Sequence, residues 1–548
     1  MLFYYSDDIV LTPVNNSRTL IDEFIHNEIK VRKGEVNSAN LDYIIEELTH
    51  SIQHDKILIE KFGEEFINTM ADNLKKERTA AVKYLKNKML NNLYYKWCVE
   101  YLKKHSLLHN HKIEIEFASR VWIVEIISNG YAPEYVYNYI QSLMKKPIKD
   151  PRQFLFDFLD SFTFSNKKFR VYLIFTPLGL RYKDLFKNRM EITFDDNGEF
   201  NSIKVPKNCF VGYTDINSFD AYSAVYKASK RVNIFIKYFR ALSNERSEVI
   251  KSQAFVQCEN NYFFEKIPIK SWGFRTFRVD PKRNLSQFID TVVLNCQIKP
   301  NQTQEQLNKI LELHNEALTQ QDLNDSFLNL WSIFEVVTSH IESESKIGKV
   351  QKGIVPVLSK DYFSVVLGNI DKDLKDNLSA EDYNFLTKQT NKEGIQSYLA
   401  RFIFLPEFEA LRNSYFEKLS DYPNIRMKIY KLYKLKDCKK DLFALTLKYE
   451  KRVSWHIYRL YRARNAIVHS GESHSRIQSL GEHLHIYADQ IINEILMKLA
   501  TEKTLETISD VLLDTRILLD KKKKIFLNDA NLIEEDFNIL LESYLYKK

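Results

Sequence analysis

The sequence predicts a mainly α-helical chain: a helical N-terminal region, an α+β middle region and a C-terminal helical bundle. Three observations carry this. Only 13 Gly and 12 Pro punctuate 548 residues, too few for turn-dense sandwiches or propellers. Apolar residues recur at helical spacing through the first and last parts of the chain. The middle part instead carries β-branched and aromatic runs bounded by turn signals.

Residues 1–150 read as helices. Leu20, Phe24, Ile25 and Ile29 share one stripe, and Leu41, Ile45, Leu48 and Ile52 another. Ser128-Asn129-Gly130-Tyr131-Ala132-Pro133 splits the stretch from Val121 to Leu143 into two helices. Lys145-Lys146-Pro147 and Asp150-Pro151 mark a boundary. Within 151–302, Phe169 to Thr176 (FRVYLIFT) reads as a strand ending at Pro177-Leu178-Gly179. Met190 to Phe194 reads as a second, leading to a hairpin at Asp195-Asp196-Asn197-Gly198. A long helix is expected from Phe219 to Leu242, then strands from Ala254 to Cys258 and from Phe274 to Val279. From about Thr303 the chain reads as helical to its end, with a bundle over 303–500 and a helical extension over 501–548. The run Lys521 to Lys524 reads as a solvated loop or helix end.

Composition sets limits. Hydrophobic residues make up 44% and charged residues 28%, which excludes wholesale disorder, and the length suggests roughly two to four domains. The 36 Phe and 31 Tyr can fill large cores. A net charge of +7 over this length permits a nucleic-acid partner without arguing for one. Cys98, Cys209, Cys258, Cys296 and Cys438 lie far apart with no C-x-x-C, which excludes a disulfide scaffold and a cysteine zinc site and suits a reducing cytoplasm. The start, MLFYYSDDIVLTPVNN, lacks the pattern of a signal peptide, and no long apolar run predicts a spanning helix. The expectation is a cytoplasmic chain with no membrane partner.

Most chemical motifs are missing. There is no phosphate-binding G-x-x-x-x-G-K-[ST], no G-x-G-x-x-G after a strand, no H-E-x-x-H and no G-x-S-x-G. His105, His109 and His111 (HSLLHNH) read as a polar surface loop, because no carboxylate or cysteine stands at a matching spacing. His483 and His485 (EHLHIY) read as ordinary helix positions. No metal and no cofactor is expected.

One constellation stands out. In VSWHIYRLYRARNAIVH, Val453, Ile457, Leu460 and Ile467 form a helical stripe, and Arg464 falls in line with it. An arginine in line with a core-facing stripe is costly unless it is paired or working. His469 follows where the helix should end, and Ser470-Gly471 supplies a stop. An Arg–His spacing of this kind is cheap to find by chance; the stripe, the adjacent Asn465 and the helix terminus distinguish this one. A second helix, LNDSFLNLWSIFEVVTSHI, carries Phe327, Trp331, Phe334, Thr338 and Ile341 on one face, with Glu335 leaning toward it. A charge-assisted pair between Glu335 and Arg464 would hold the guanidinium in place.

Arg464-Asn465-Ala466-Ile467-Val468-His469, preceded by FLNLWSIFEVV, resembles the HEPN ribonuclease superfamily, and is most similar to the Apea-like HEPN proteins of prokaryotic defence systems. The likeness rests on R-x(4–6)-H with a polar residue after the Arg, and on an acidic residue in a W-x-x-x-E setting, matched by Trp331 and Glu335. It covers about residues 305–500. The long stretch of about 345–450 departs from a minimal bundle and reads as an insertion. The resemblance implies a dimerising helical bundle that cleaves RNA without a metal, through attack by the RNA's own 2′-hydroxyl. It implies the site residues Arg464 (phosphate clamp), His469 (acid or base), Asn465 (orienting) and Glu335 (positioning Arg464).

The implied protein is a toxin-like effector of anti-phage defence acting by abortive infection. Its partners would be RNA (tRNA or another structured RNA), a second copy of the chain in a homodimer or higher even oligomer, and a phage-derived trigger. Residues 151–302 would be a sensor or regulatory domain. Lys448, Lys451, Arg452, Arg459 and Arg462, interleaved with Trp455, Tyr458 and Tyr461, would suit single-stranded RNA. The alternative reading is a non-catalytic HEPN module that binds RNA or acts as a scaffold.

Overall fold

The computed structural model describes residues 15–34, 38–90, 92–108, 111–145, 150–194, 205–243, 249–259, 264–269, 299–320, 322–390, 397–472 and 476–541. Of these residues 74% are helical and 7% lie in strands, so the fold is mainly α with a small antiparallel sheet in the middle of the chain. The chain forms two compact units, Met1–Trp272 and Gly273–Lys548.

In the first unit, helices run from Ser17–Arg32 through Pro133–Met144 to Pro151–Asp160. Their starts are fixed locally. Asn16 and Thr19 form a reciprocal capping box, and the Asp55 and Asp150 carboxylates accept backbone N–H groups at two other helix starts. Leu20, Phe24, Leu41, Leu48, Ile52 and Trp122 pack in one core, which reaches Phe158 and Phe162. Ile29, expected on the buried stripe, is exposed; Ile21 occupies the core instead.

The break before Pro133 is a left-handed Gly130 at φ 115°. The buried Asp220 accepts from the Ala132 N–H there at 2.9 Å, which ties this turn to the sheet region. Among the helices, a buried polar centre joins separate segments. Asp55 accepts from Tyr94 Oη, Ser17 Oγ and the N–H groups of Ile57 and Leu58. Glu125 accepts from Arg18 Nε at 2.7 and 2.8 Å and from Asn16 Nδ2 at 2.8 Å.

The sheet has the order β2-β3-β1-β4-β5, antiparallel throughout. Strand β1 is Lys167–Phe175, β2 Thr193–Phe194, β3 Phe210–Ser218, β4 Ile250–Cys258 and β5 Glu265–Pro268. Central β1 places Val171 opposite Thr214 of β3 and Val256 of β4. Val171, Leu173 and Phe175 pack with Ala224, Ala228 and Val232 of the Ala221–Ser243 helix. Tyr172 and Val211 form a thinner cluster with Tyr213, Phe255 and Phe264.

Several expectations change here. Of the strand read from Met190 to Phe194, Met190 instead ends a helix (Lys183–Met190), and only Thr193–Phe194 is strand. Strands β3 and β5 went unread. The hairpin at 195–198 and the strand at 274–279 lie outside the described residues. His105 is buried in the Leu93–Ser106 helix rather than in a surface loop. Its Nδ1 lies 2.8 Å from His111 Nδ1, and its Nε2 3.0 Å from the distant Glu60.

In the second unit, Asn301–Thr319 pairs with Leu323–Val337, which packs on Ile477–Thr501. Lys346–Ser359, from the stretch read as an insertion, packs on Lys439–Asn465 and on Ile508–Phe526. Helices from Tyr362–Asn377 to Pro423–Tyr433 form a side cluster around Ser397–Phe404. There the fully buried Arg412 donates to the carbonyls of Phe402 and Leu405 and stacks 4.4 Å from the Tyr433 ring centre. Leu330, Phe334, Ile457, Leu460, Leu484 and Ile491 are buried.

A buried ion network crosses this bundle. Lys360 lies 3.1 Å and Lys498 3.4 Å from Glu494, and each lysine has a second carboxylate, Asp361 or Asp514. The lysine run at 521–524 is neither loop nor wholly solvated. It ends the Ile508–Phe526 helix, and buried Lys522 donates to the carbonyls of Lys360 and Leu540. Among the described residues, no helix is long and apolar enough to cross a membrane.

Candidate active site

Two helix ends bring the expected residues into reach. Glu335 sits in the last turn of Leu323–Val337, and Arg464 is the penultimate residue of Lys439–Asn465. Val453, Ile457, Leu460 and Ile467 are buried as the stripe requires, and this burial fixes the rotation of the motif helix.

Arg464 Nη2 lies 3.4 Å from Glu335 Oε1, and its Nη1 donates to Asn465 Oδ1 at 3.2 Å. The same Glu335 oxygen accepts from Trp331 Nε1 at 3.1 Å. Trp331 is buried, and its ring lies 5.7 Å from that of Tyr461. The carboxylate is therefore anchored from its own helix, and the arginine is held by the anchored carboxylate. Side-chain exposures are 21% for Arg464 and 33% for Glu335, so water reaches the pair. Its hydrogen bond to Asn465 engages one of the five N–H donors that a guanidinium carries, and Glu335 pairs with its charge.

Beyond Asn465 the helix widens into a π-helical turn, Ala466–Ser470, that holds His469. Gly471 closes it at φ 63°, a left-handed cap that a side chain would strain. His469 is exposed. The arrangement thus offers a fixed cation, a polar amide beside it and an exposed imidazole one turn on. Those are the elements needed to bind a phosphate and move a proton next to it.

The expected substrate face is smaller than the sequence suggests. Lys448, Lys451 and Arg452 are exposed, with Lys451 Nζ 5.1 Å from the Trp455 ring centre. Arg459, Arg462, Trp455 and Tyr458 are buried, so they are not free to meet RNA. The apolar stripe of the motif helix is buried inside the chain, and Val468 beyond it is exposed, at 47%.

The helix Ile477–Thr501 also departs from expectation. Both of its histidines are buried, and burial pushes His483 down to about 4. His485 faces a cluster that the sequence did not reveal. Its Nε2 lies 3.2 Å from His314 Nε2 and 3.5 Å from Asp489 Oδ1, and His314 Nε2 lies 2.8 Å from the same oxygen. The available signal was His485 and Asp489 four residues apart on one helical face.

Compared with protein-family models, with curated proteins and with solved structures, the chain matches none.

Proposed function

We propose that the chain is a metal-independent endoribonuclease of the HEPN class. The observation that supports this most is the tethered Arg464: a partly buried guanidinium held by Glu335 and Asn465, with exposed His469 on the next turn of the same helix. In the proposed reaction the RNA 2′-oxygen bonds to the adjacent phosphorus and the P–O5′ bond breaks. One imidazole takes the 2′-hydroxyl proton, and a protonated one gives a proton to the 5′-oxygen. A 2′,3′-cyclic phosphate and a 5′-hydroxyl remain. Arg464 stabilises the phosphorane oxygens, Asn465 orients the phosphate or the imidazole, and Glu335 positions Arg464.

One motif supplies one histidine, whereas the reaction needs an acid and a base. We therefore propose a homodimer, or an even multiple of one, in which two copies of the motif share a cleft. Residues 1–302 would restrain the site until a phage-derived trigger arrives, so that the cytoplasmic enzyme acts as an abortive-infection toxin.

The test is cleavage of RNA by the purified full chain with a chelator present, followed by analysis of the RNA ends. Arg464→Ala and His469→Ala should each lower the rate by roughly 10²-fold or more. Full activity in His469→Ala would overturn the proposal, and so would activity lost to the chelator with the fold intact and restored by a divalent ion. Binding of RNA without cleavage would favour a non-catalytic module. Mixing wild-type chains with His469→Ala chains checks the shared cleft: if both imidazoles are needed, the mixed dimers should be as inactive as the variant.

A further inference from the structure

His314, His485 and Asp489 point three ligand-type atoms at one spot, all within 4.8 Å of one another. His314 comes from the Asn301–Thr319 helix, and the other two stand four residues apart on Ile477–Thr501. His314 Nε2 lies 2.8 Å from Asp489 Oδ1 and 3.2 Å from His485 Nε2, so three ligand-type atoms from two helices crowd together. A shared cation can accept all three lone pairs at once.

The spacing fits such a cation. The three separations, 2.8, 3.2 and 3.5 Å, bracket the ligand–ligand edge of about 3.3 Å expected of a tetrahedral zinc centre. A point about 2.0 Å from all three atoms lies about 0.8 Å off their plane, close to the apex of such a centre. Two imidazoles and one carboxylate form a borderline ligand set that suits zinc and related divalent ions better than calcium or magnesium. His485 is almost fully buried at 2% side-chain exposure, while His314 and Asp489 reach solvent at 22% and 15%. The site thus has a dry back and a wet mouth, with a fourth position for water.

We infer that His314, His485 and Asp489 form a zinc-class metal site that pins the Asn301–Thr319 helix to the Ile477–Thr501 helix. Arg464, Asn465, His469 and Glu335 supply none of its ligands, so this inference stands apart from the proposed RNA chemistry.

The test uses untagged full-length chain, stripped by chelator and then titrated with zinc against a chromophoric competitor. The expected result is one zinc per chain, a visible d–d spectrum of tetrahedral type when cobalt replaces zinc, and a melting temperature that rises with added zinc. Asp489→Asn keeps the shape of the side chain and is partly exposed, so it should fold. It should bind zinc roughly 10²-fold more weakly and lose the thermal response, and His485→Ala should do the same. Absence of zinc uptake by the wild-type chain, or uptake unchanged in Asp489→Asn, would overturn the inference. Cleavage assays run well below the melting temperature report on Arg464 and His469, whereas zinc stoichiometry reports only on this site.

Discussion

Two charged centres of this chain are built to opposite specifications. In the first unit, Asp55 and Glu125 are buried; Asp55 accepts hydrogen bonds from three different helices, and Glu125 accepts from Arg18 and Asn16 of the Ser17–Arg32 helix and its cap. In the second, Arg464 meets Glu335 at 3.4 Å in a place that water reaches, and His469 is exposed. The first pattern suits a structural lock: buried charge is tolerated only where every partner is present. The second gives little stability and keeps donors accessible, which suits a group that must bind something from solution. Burial and closure, rather than the mere presence of a charged pair, separate the two.

Breaking the lock should have the largest effect. Asp55→Ala strands the Tyr94 hydroxyl and the first N–H groups of a helix and removes one partner of Ser17, and should destabilise the first unit by about 3 kcal/mol or more. Hydrogen exchange over residues 17–62 measures it, and a loss below about 1 kcal/mol would remove the distinction between the centres. Next come Arg464→Ala and His469→Ala. Each should lose roughly 10²-fold in RNA cleavage, worth about 2.7 kcal/mol, while stability of the second unit moves by less than about 1 kcal/mol. Equal losses of stability and activity would make the motif structural.

Glu335→Ala should have a smaller effect, about tenfold in cleavage, and should couple to Arg464→Ala by more than about 0.5 kcal/mol in a double-mutant cycle. Glu335→Gln keeps an acceptor for Trp331 Nε1 and should recover part of the rate. Strict additivity would mean the two side chains act separately.

The smallest effect is in pH. Burial without a cationic partner among its hydrogen bonds raises Asp55 above its ordinary value of 3.8, even though four donors oppose the shift. The folded state then binds this proton more tightly than the unfolded chain. Its contribution to stability is present in full below 3.8 and is lost as pH rises through the folded value. The slope of first-unit stability against pH should therefore be less positive in the wild type than in Asp55→Asn over the mildly acidic range. Identical slopes would show that this carboxyl is not perturbed.

Legibility in the sequence followed the same physical line. Strand β1 was readable because a central strand buried on both faces is a continuous apolar run. Strand β3 was not, because Gly212, Thr214, Asp215 and Asn217 break the pattern. The glycine is needed there: a Cβ would come within 2.8 Å of Phe175 Cε2. Arg464 and Glu335 could be paired from sequence because Arg464 falls in line with one apolar stripe and Glu335 leans toward another. The burial of Arg459 and Arg462 on the same helix could not, because neighbouring helices create it. His314 and His485 meet across 171 residues, a distance that no local spacing encodes.

The π-helical turn at Ala466–Ser470 has a rotational consequence. In an unbroken α-helix, five residues leave two side chains about 140° apart around the axis, nearly on opposite faces. A π turn holds about 4.4 residues, so across this junction the angle between Arg464 and His469 closes to about 70°. Widening by a fraction of a residue brings the arginine and the histidine round to one side. The separation of the two in sequence is therefore only half of the specification; the other half is a local unwinding that Gly471 terminates. A change that tightened this turn back to α-helical winding would swing His469 away from the guanidinium without altering either side chain.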